Sequence, residues 1–318
     1  MEGIVQISAD FIETHTNFPE LVKAIEAGFS VENVIVPQRH HHDFPNPEAI
    51  EETTLLLMPA WHPGKNAGVK MVTISPENSR YGLPAVQGSY FLMDAVTGKI
   101  KAILEAKSLT TKRTAATSAL ASHYLSRKTA SSLLMIGTGA LSTQLIKAHA
   151  SVRPITNVYV WGRNSEKALA VCKELKDENF ECRVTSSIEE VIGTVDIVSS
   201  ATLSKTPLVL GKHLKPGQHI DLVGAYRKDM READDETIKR SSIFVDTYGG
   251  LHESGDMFEP LSTGLLDKEA IKGDLFSLCS GKTAGRIKDE EITFFKSVGF
   301  ALEDLVAATY YHKQFKNA

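Results

Sequence analysis

The chain has 318 residues, 42% of them hydrophobic and 23% charged, with 22 Gly, 12 Pro and 3 Cys, enough for two modest domains or one large one. That balance excludes a disordered, collagen-like or disulfide-stapled chain. With 35 basic against 39 acidic residues the formal charge is −4, whereas an electrostatic nucleic-acid binder carries a basic excess, so no nucleic-acid partner is expected.

The N-terminal MEGIVQISADF carries acids where a secretion signal needs a basic start and a long apolar run, and no later run approaches a membrane span. Cys172, Cys182 and Cys279 share no metal or redox spacing and read as reduced, mostly buried thiols. A cytoplasmic protein with no membrane partner is expected.

Up to about residue 110, the segments TTLLLMPAW, AGVKMVTIS and AVQGSYFLMDAVTGKIKAILEA, punctuated by Pro and Gly, predict an antiparallel meander, with a hairpin turning between Asp94 and Gly98. Lys70 interrupts one apolar strand, where the alternative to a functional role is a lysine snorkelling from a sheet edge. His40, His41 and His42 follow one another in an extended segment, where neighbours point to opposite faces and no second ligand group is near, so no metal site is expected. Arg113 is followed by the small-residue run TAATSALA, which lets a helix N-terminus approach a ligand closely, and Thr117–Lys128 predicts a connecting helix.

From Ser131 to Asp246 six short apolar runs, SSLLMIG, NVYVWG, FECRVT, DIVSSA, HIDLVG and SIFVDT, alternate with amphipathic segments. Parallel strands need crossover connections, so this pattern predicts an α/β fold with a doubly wound Rossmann-type parallel sheet. After the first run, Gly137-Thr138-Gly139-Ala140-Leu141-Ser142 opens a helix as a G-x-G-x-x-S variant of the dinucleotide fingerprint. A pyrophosphate would sit on that helix N-terminus. At the second strand end, where an NAD enzyme usually places an acid for the ribose 2′-hydroxyl, the chain reads Trp161-Gly162-Arg163-Asn164-Ser165. Guanidinium, amide and hydroxyl donors there suit a 2′-phosphate, so NADPH is the expected cofactor, NADH a secondary one, and Arg163, Asn164 and Ser165 the discriminating residues. Near the C-terminus Phe300, Leu302, Leu305, Val306 and Tyr310 form one helical stripe. Asp229 and Glu232 read as caps or braces of the following helix, and His252, Glu253 and Asp256 as a solvated loop. No GxSxG elbow supports serine nucleophile chemistry.

Taken together, Arg39 in VPQR, Lys70 in GVKMV, PENSRYGLPAVQG, MDAVTGK, LTTKRTAATSALA, IGTGALS, the SSAT after the fourth run, DLVGAYRKDMRE and KSVGFALED make the chain resemble the ornithine cyclodeaminase and mu-crystallin family over nearly its whole length. The resemblance implies a substrate-binding and dimerisation domain of α+β type at 1–128, rejoined by 286–318, around a nucleotide domain at 129–285. It implies a homodimer and chemistry at the α-carbon of amino acids or their imines. Position by position, it puts a substrate-carboxylate grip on Arg39, Lys70 and Arg113, with catalysis on Lys70 and Arg113. Cofactor contacts fall on Gly139, Ala140 and Leu141, on Ser200, Ala201 and Thr202, on Leu222, Val223 and Gly224, and on Ser297.

Two departures choose the branch. The cyclodeaminases carry an aspartate where this chain has Tyr226, and a tyrosine supplies no carboxylate base at neutral pH. They also keep an aspartate at the position of Gly162. Both point to the ketimine reductases, with Δ1-pyrroline-2-carboxylate and its six-membered homologue as the implied imino acids and hydroxyproline breakdown as the implied context. Alanine or N-alkyl amino acid dehydrogenation, and an NADPH-binding protein without turnover, are the competing readings. Lys70 stays open between carboxylate grip and proton relay.

Overall fold

The computed structural model describes residues 3–318. Its strands are β1 (Val5–Ile7), β2 (His40–Phe44), β3 (Thr53–Trp61), β4 (Asn66–Ile74), β5 (Val86–Asp94), β6 (Ile100–Glu105), β7 (Ser132–Ile136), β8 (Asn157–Trp161), β9 (Glu181–Val184), β10 (Ile197–Ser200), β11 (His219–Leu222), β12 (Ser242–Val245), β13 (Gly273–Asp274) and β14 (Thr293–Lys296). Its α-helices are α1 (Ala9–Thr14), α2 (Phe18–Phe29), α3 (Ala106–Leu125), α4 (Ser142–Val152), α5 (Ser165–Glu174), α6 (Ile188–Ile192), α7 (Asp235–Arg240), α8 (Gly255–Ser262), α9 (Leu275–Cys279) and α10 (Ala301–Asn317). Among the described residues one compact unit comprises 3–113 together with Ala301–Ala318, and the other is Thr114–Phe300.

The first unit is the expected meander. Strands β2 to β6 pair antiparallel in sequence order and β1 joins β6 in parallel, giving the order β1-β6-β5-β4-β3-β2. The β5–β6 hairpin is set by Asp94, whose carboxylate accepts from the backbone N–H of Val96 and Thr97 at 3.1 and 3.0 Å, an Asx turn that closes the loop. Because side chains alternate across a strand, Met58, Lys70, Tyr90 and Leu104 lie side by side on one face. Helix α10 packs over β3, β4 and β5, and α2 packs on α10. Ile12, Leu21, Ile25, Phe29, Leu302, Leu305 and Tyr311 fill this core.

The second unit carries an all-parallel eight-stranded sheet, ordered β13-β12-β14-β11-β10-β7-β8-β9. All six runs read from the sequence form strands in it. The progression β9-β8-β7-β10-β11 is that of a dinucleotide-binding sheet, with the strand order reversing between β7 and β10. Strand β14 lies in the middle of this sheet, between β11 and β12. Residues 286–300, joined by the sequence reading to the C-terminal tail, therefore supply a central strand of the second unit. Its residues Thr293, Phe294, Phe295 and Lys296 are all buried, which is why four residues suffice.

Candidate functional site

In the first unit, β4 is an interior strand, so Lys70 has no sheet edge from which to snorkel, and it is 3% exposed. Its Nζ donates to Asp304 Oδ1 at 3.0 Å and to Thr110 Oγ1 at 3.4 Å, with Asp304 Oδ2 at 2.9 Å. Arg113, 5% exposed on α3, donates from Nε to Asp304 at 3.0 Å and from Nη1 to Glu303. Asp304 thus bridges two cations.

Burial lowers the Lys70 ammonium from 10.5 to about 8, the Asp304 charge opposing and the Arg113 and Arg39 charges assisting the fall. Arg39, half-buried just before β2, is close enough for its charge to act there. The Tyr90 hydroxyl is buried with no hydrogen-bond partner among the described residues, and burial together with the Asp304 charge raises its pKa, so it is a neutral donor. Sequence reasoning missed Glu303, Asp304 and Tyr90. The signal for the acids was present: two adjacent carboxylates inside the apolar FALEDLVAA run must be buried once the helix packs, and a buried carboxylate needs a cation.

In the second unit the expected cofactor residues gather at the carboxyl ends of the parallel strands, where ligands bind in open α/β sheets. Gly137 follows β7 with φ +120°, and a Cβ there would meet the Ala201 carbonyl oxygen at 2.7 Å. Ser142, fully buried, donates to the Gly137 carbonyl at 3.0 Å, so the third fingerprint position closes the turn from inside. Helix α4 has Leu141 at its N-cap and no side-chain capping bond, while space is open where a Gly139 Cβ would project. An uncapped helix end facing open space is what a pyrophosphate requires. A cavity of about 340 Å³ adjoins this turn, lined in part by Thr138, Gly139, Ala140, Lys167 and Glu174.

At the end of β8 a Cβ on Gly162 would lie 2.5 Å from Thr138 Cγ2, so a larger residue there would require the Thr138 side chain to shift. Arg163, Asn164 and Ser165 are exposed at the start of α5, and Asn164 Oδ1 caps the helix by accepting from Lys167 N at 3.1 Å. The hydroxyls of three other expected contacts turn inward. Ser200 Oγ and Thr202 Oγ1 donate to Glu232 Oε1 at 2.6 and 2.8 Å, and Ser297 Oγ donates to Asp246 at 3.2 Å. At these positions the backbone is what remains to meet a ligand.

Glu232 is fully buried and accepts from the Thr202 N–H at 2.7 Å as well; the cap of α7 is Asp234. Asp256 is also fully buried, so the expected solvated loop around it is corrected. Its carboxylate accepts from the N–H groups of Glu232 and Ala233 and from Lys296 Nζ at 3.0 Å. Lys296 also donates to the Gly224 carbonyl. Sequence reasoning missed this network, which ties the loops after β10 and β11 to the end of β14. Of the three histidines, His40 and His42 share a sheet face with ring centroids 6.1 Å apart, while His41 points the other way. Among the described residues no His, Cys, Asp and Glu group suits a metal ion, and no helix is long and apolar enough to cross a membrane.

Residues 3–318 match the family model described as ornithine cyclodeaminase/mu-crystallin family. A Δ1-pyrroline-2-carboxylate reductase of Colwellia psychrerythraea is 36% identical over 95% of this chain and 96% of its own. The Thermococcus litoralis Δ1-pyrroline-2-carboxylate reductase, solved with NADH and L-proline, superposes with a TM-score of 0.90 at 31% identity, covering 99% of this chain and 98% of its own. An archaeal alanine dehydrogenase dimer with bound NAD superposes equally well, TM-score 0.90, at 27% identity over 99% and 97% of the two chains.

Proposed function

Since this chain belongs to the ornithine cyclodeaminase/mu-crystallin family, we propose that it is a nicotinamide-dependent reductase of cyclic imino acids, converting Δ1-pyrroline-2-carboxylate to L-proline and taking the six-membered homologue as a second substrate. The observation that carries this reading is Lys70: a buried ammonium, held at 3.0 Å by Asp304 beside Arg113, whose pKa of about 8 lets it give up a proton near neutrality. The Thermococcus reductase, solved with L-proline, supports the substrate class.

A nicotinamide cofactor, when bound, would supply the hydride for the C=N carbon. The chain's own residues do the rest. Arg113 and Arg39 hold the substrate carboxylate, since a planar carboxylate is best met by a guanidinium fork. Asp304 fixes both Lys70 and Arg113, so the grip is set before substrate arrives and no ordering is needed at the moment of reaction. Lys70 joins the carboxylate grip or delivers its proton to the ring nitrogen, and the Tyr90 hydroxyl is a neutral donor in the same core face. The uncapped start of α4 holds the pyrophosphate, and Arg163 with Ser165 meets the 2′-phosphate of NADPH. Tyr226, 49% exposed, provides no buried carboxylate for ornithine cyclodeamination.

The test is oxidation of NADPH and NADH with a panel of cyclic imino acids, pyruvate plus ammonia, and L-ornithine. Cyclic imino acids should turn over best; pyruvate plus ammonia as the better pair would replace this reading by alanine dehydrogenation, which the archaeal neighbour favours. In the same assay Arg163→Ala should raise the KM for NADPH by about 10- to 100-fold, the loss of one or two charge-assisted hydrogen bonds, with little change for NADH. An unchanged ratio of the two Michaelis constants would remove Arg163 from cofactor selection.

The dimer is part of this proposal. The sheet face of the first unit opposite Lys70 carries Leu55, Leu57, Val69, Met71, Phe91 and Ile103, half-buried or exposed in the single chain. A second copy laid on this face would bury them. Met71→Glu places a charge at its centre and should shift the sedimenting species from dimer to monomer; a wild-type monomer would end the proposal.

A further inference from the structure

Cys172 and Cys182 form no sequence motif, yet α5 and β9 bring their sulfurs to 2.8 Å, with the Cys182 thiol donating to Cys172 Sγ. Cys172 lies in the last turn of α5, and Cys182 lies in β9, the edge strand, in register with Val158 of β8. Both thiols are half-buried. A disulfide has its sulfurs about 2.05 Å apart, so the bond needs them to approach by only about 0.8 Å. The connecting residues Lys176, Asp177, Glu178 and Asn179 are exposed and can absorb that shift.

We propose that Cys172 and Cys182 are a thiol-redox site, closing a reversible intrachain disulfide by exchange with a low-molecular-weight disulfide. The Cys172 thiolate attacks one sulfur of the small disulfide and expels its other half as a thiolate, leaving a mixed disulfide on Cys172. The Cys182 thiolate then attacks the Cys172 sulfur and expels the second small thiolate. Two protein thiols are oxidised, one small disulfide is reduced to two thiols, and the two protein protons pass to those thiols. The order follows from the hydrogen bond, which lowers the pKa of Cys172 and, with burial, raises that of Cys182, so that Cys172 is the thiolate that attacks first. Once closed, the bond ties the edge strand to the helix that begins directly after Arg163 and Asn164. A small excess thiol reopens it.

The experiment equilibrates the folded full chain with mixtures of oxidised and reduced glutathione, alkylates remaining thiols and reads the intact mass. Of the 3 cysteines, two should become protected together while Cys279 stays alkylated, with the unalkylated protein about 2 Da lighter and fully restored by reductant. Cys182→Ser should stop at a glutathione adduct on Cys172, and Cys279→Ser should behave as wild type. Alkylation of all three thiols at every ratio, a persistent adduct on the wild type, or loss of protection in Cys279→Ser rather than Cys182→Ser would overturn the proposal.

Discussion

Lys70→Met is expected to lower turnover at saturating imine by about 10²- to 10⁴-fold, the range for loss of a positioned proton donor. It is also expected to remove a limb from the pH profile. Lys70 is an ammonium below about pH 8 and an amine above it. A proton donor, or a cation holding the substrate, therefore works on the acid side, and wild-type kcat/KM should fall as pH rises through about 8. A limb that survives in Lys70→Met belongs to the substrate imine instead. Wild-type turnover in the variant would exclude both the grip and the relay.

The fold should tolerate this change. The folded pKa lies below the ordinary value of 10.5, so between about pH 8 and 10.5 the unfolded chain binds more protons than the native one, and the contribution of Lys70 to stability rises with pH across that window. Charged and buried, Lys70 costs the fold energy at neutral pH. Removing it leaves Arg113 shared by Asp304, at 3.0 Å, and Glu303, so each buried carboxylate keeps a cation. A melting temperature close to wild type with turnover collapsed would separate function from folding.

What the sequence conveyed follows the physics of each signal. The six strands were legible because each apolar run is bounded by turn residues and separated by a helical period. Strand β14 was not, because Thr293–Lys296 runs without a glycine into KSVGF and its position between β11 and β12 is set by partners far away in the chain. The stripe was read from Phe300, just before α10, and Leu302, Leu305, Val306 and Tyr310 within it, but the helix is buried on more than one side and its acids Glu303 and Asp304 are buried too. Lys70 and Arg113 stood out as cations among apolar and small residues. Their shared partner Asp304 lies more than 190 positions from Arg113 and on a different element, so only the packed fold brings it to them. Where a charge is buried with a distant counter-charge, local pattern shows half of the pair.

The same holds for Lys296, and its replacement should give the largest loss of stability. Lys296→Met removes the cation that meets both Asp256, at 3.0 Å, and Glu232, at 3.9 Å, in a region where all three side chains are at most 1% exposed. Burial already raises the Glu232 pKa and the Asp256 charge raises it further, with Lys296 acting against both. Stripped of that cation, the two carboxylates should cost the fold about 3–5 kcal/mol, the usual penalty for breaking a buried ion pair from one side. In a unit of this size that corresponds to a fall of about 10 °C in melting temperature. Glu232→Gln keeps an oxygen for Ser200 and Thr202 and should cost about 1 kcal/mol. Adding Asp256→Asn to Lys296→Met removes one stranded charge, so the double variant should melt above the single one, a coupling that a cycle of the two substitutions measures directly. Because Lys296 also holds the Gly224 carbonyl and Glu232 holds the Thr202 N–H, the single variant should raise the KM for cofactor along with the loss of stability. Melting within about 2 °C of wild type would show that the network carries no net charge to be balanced.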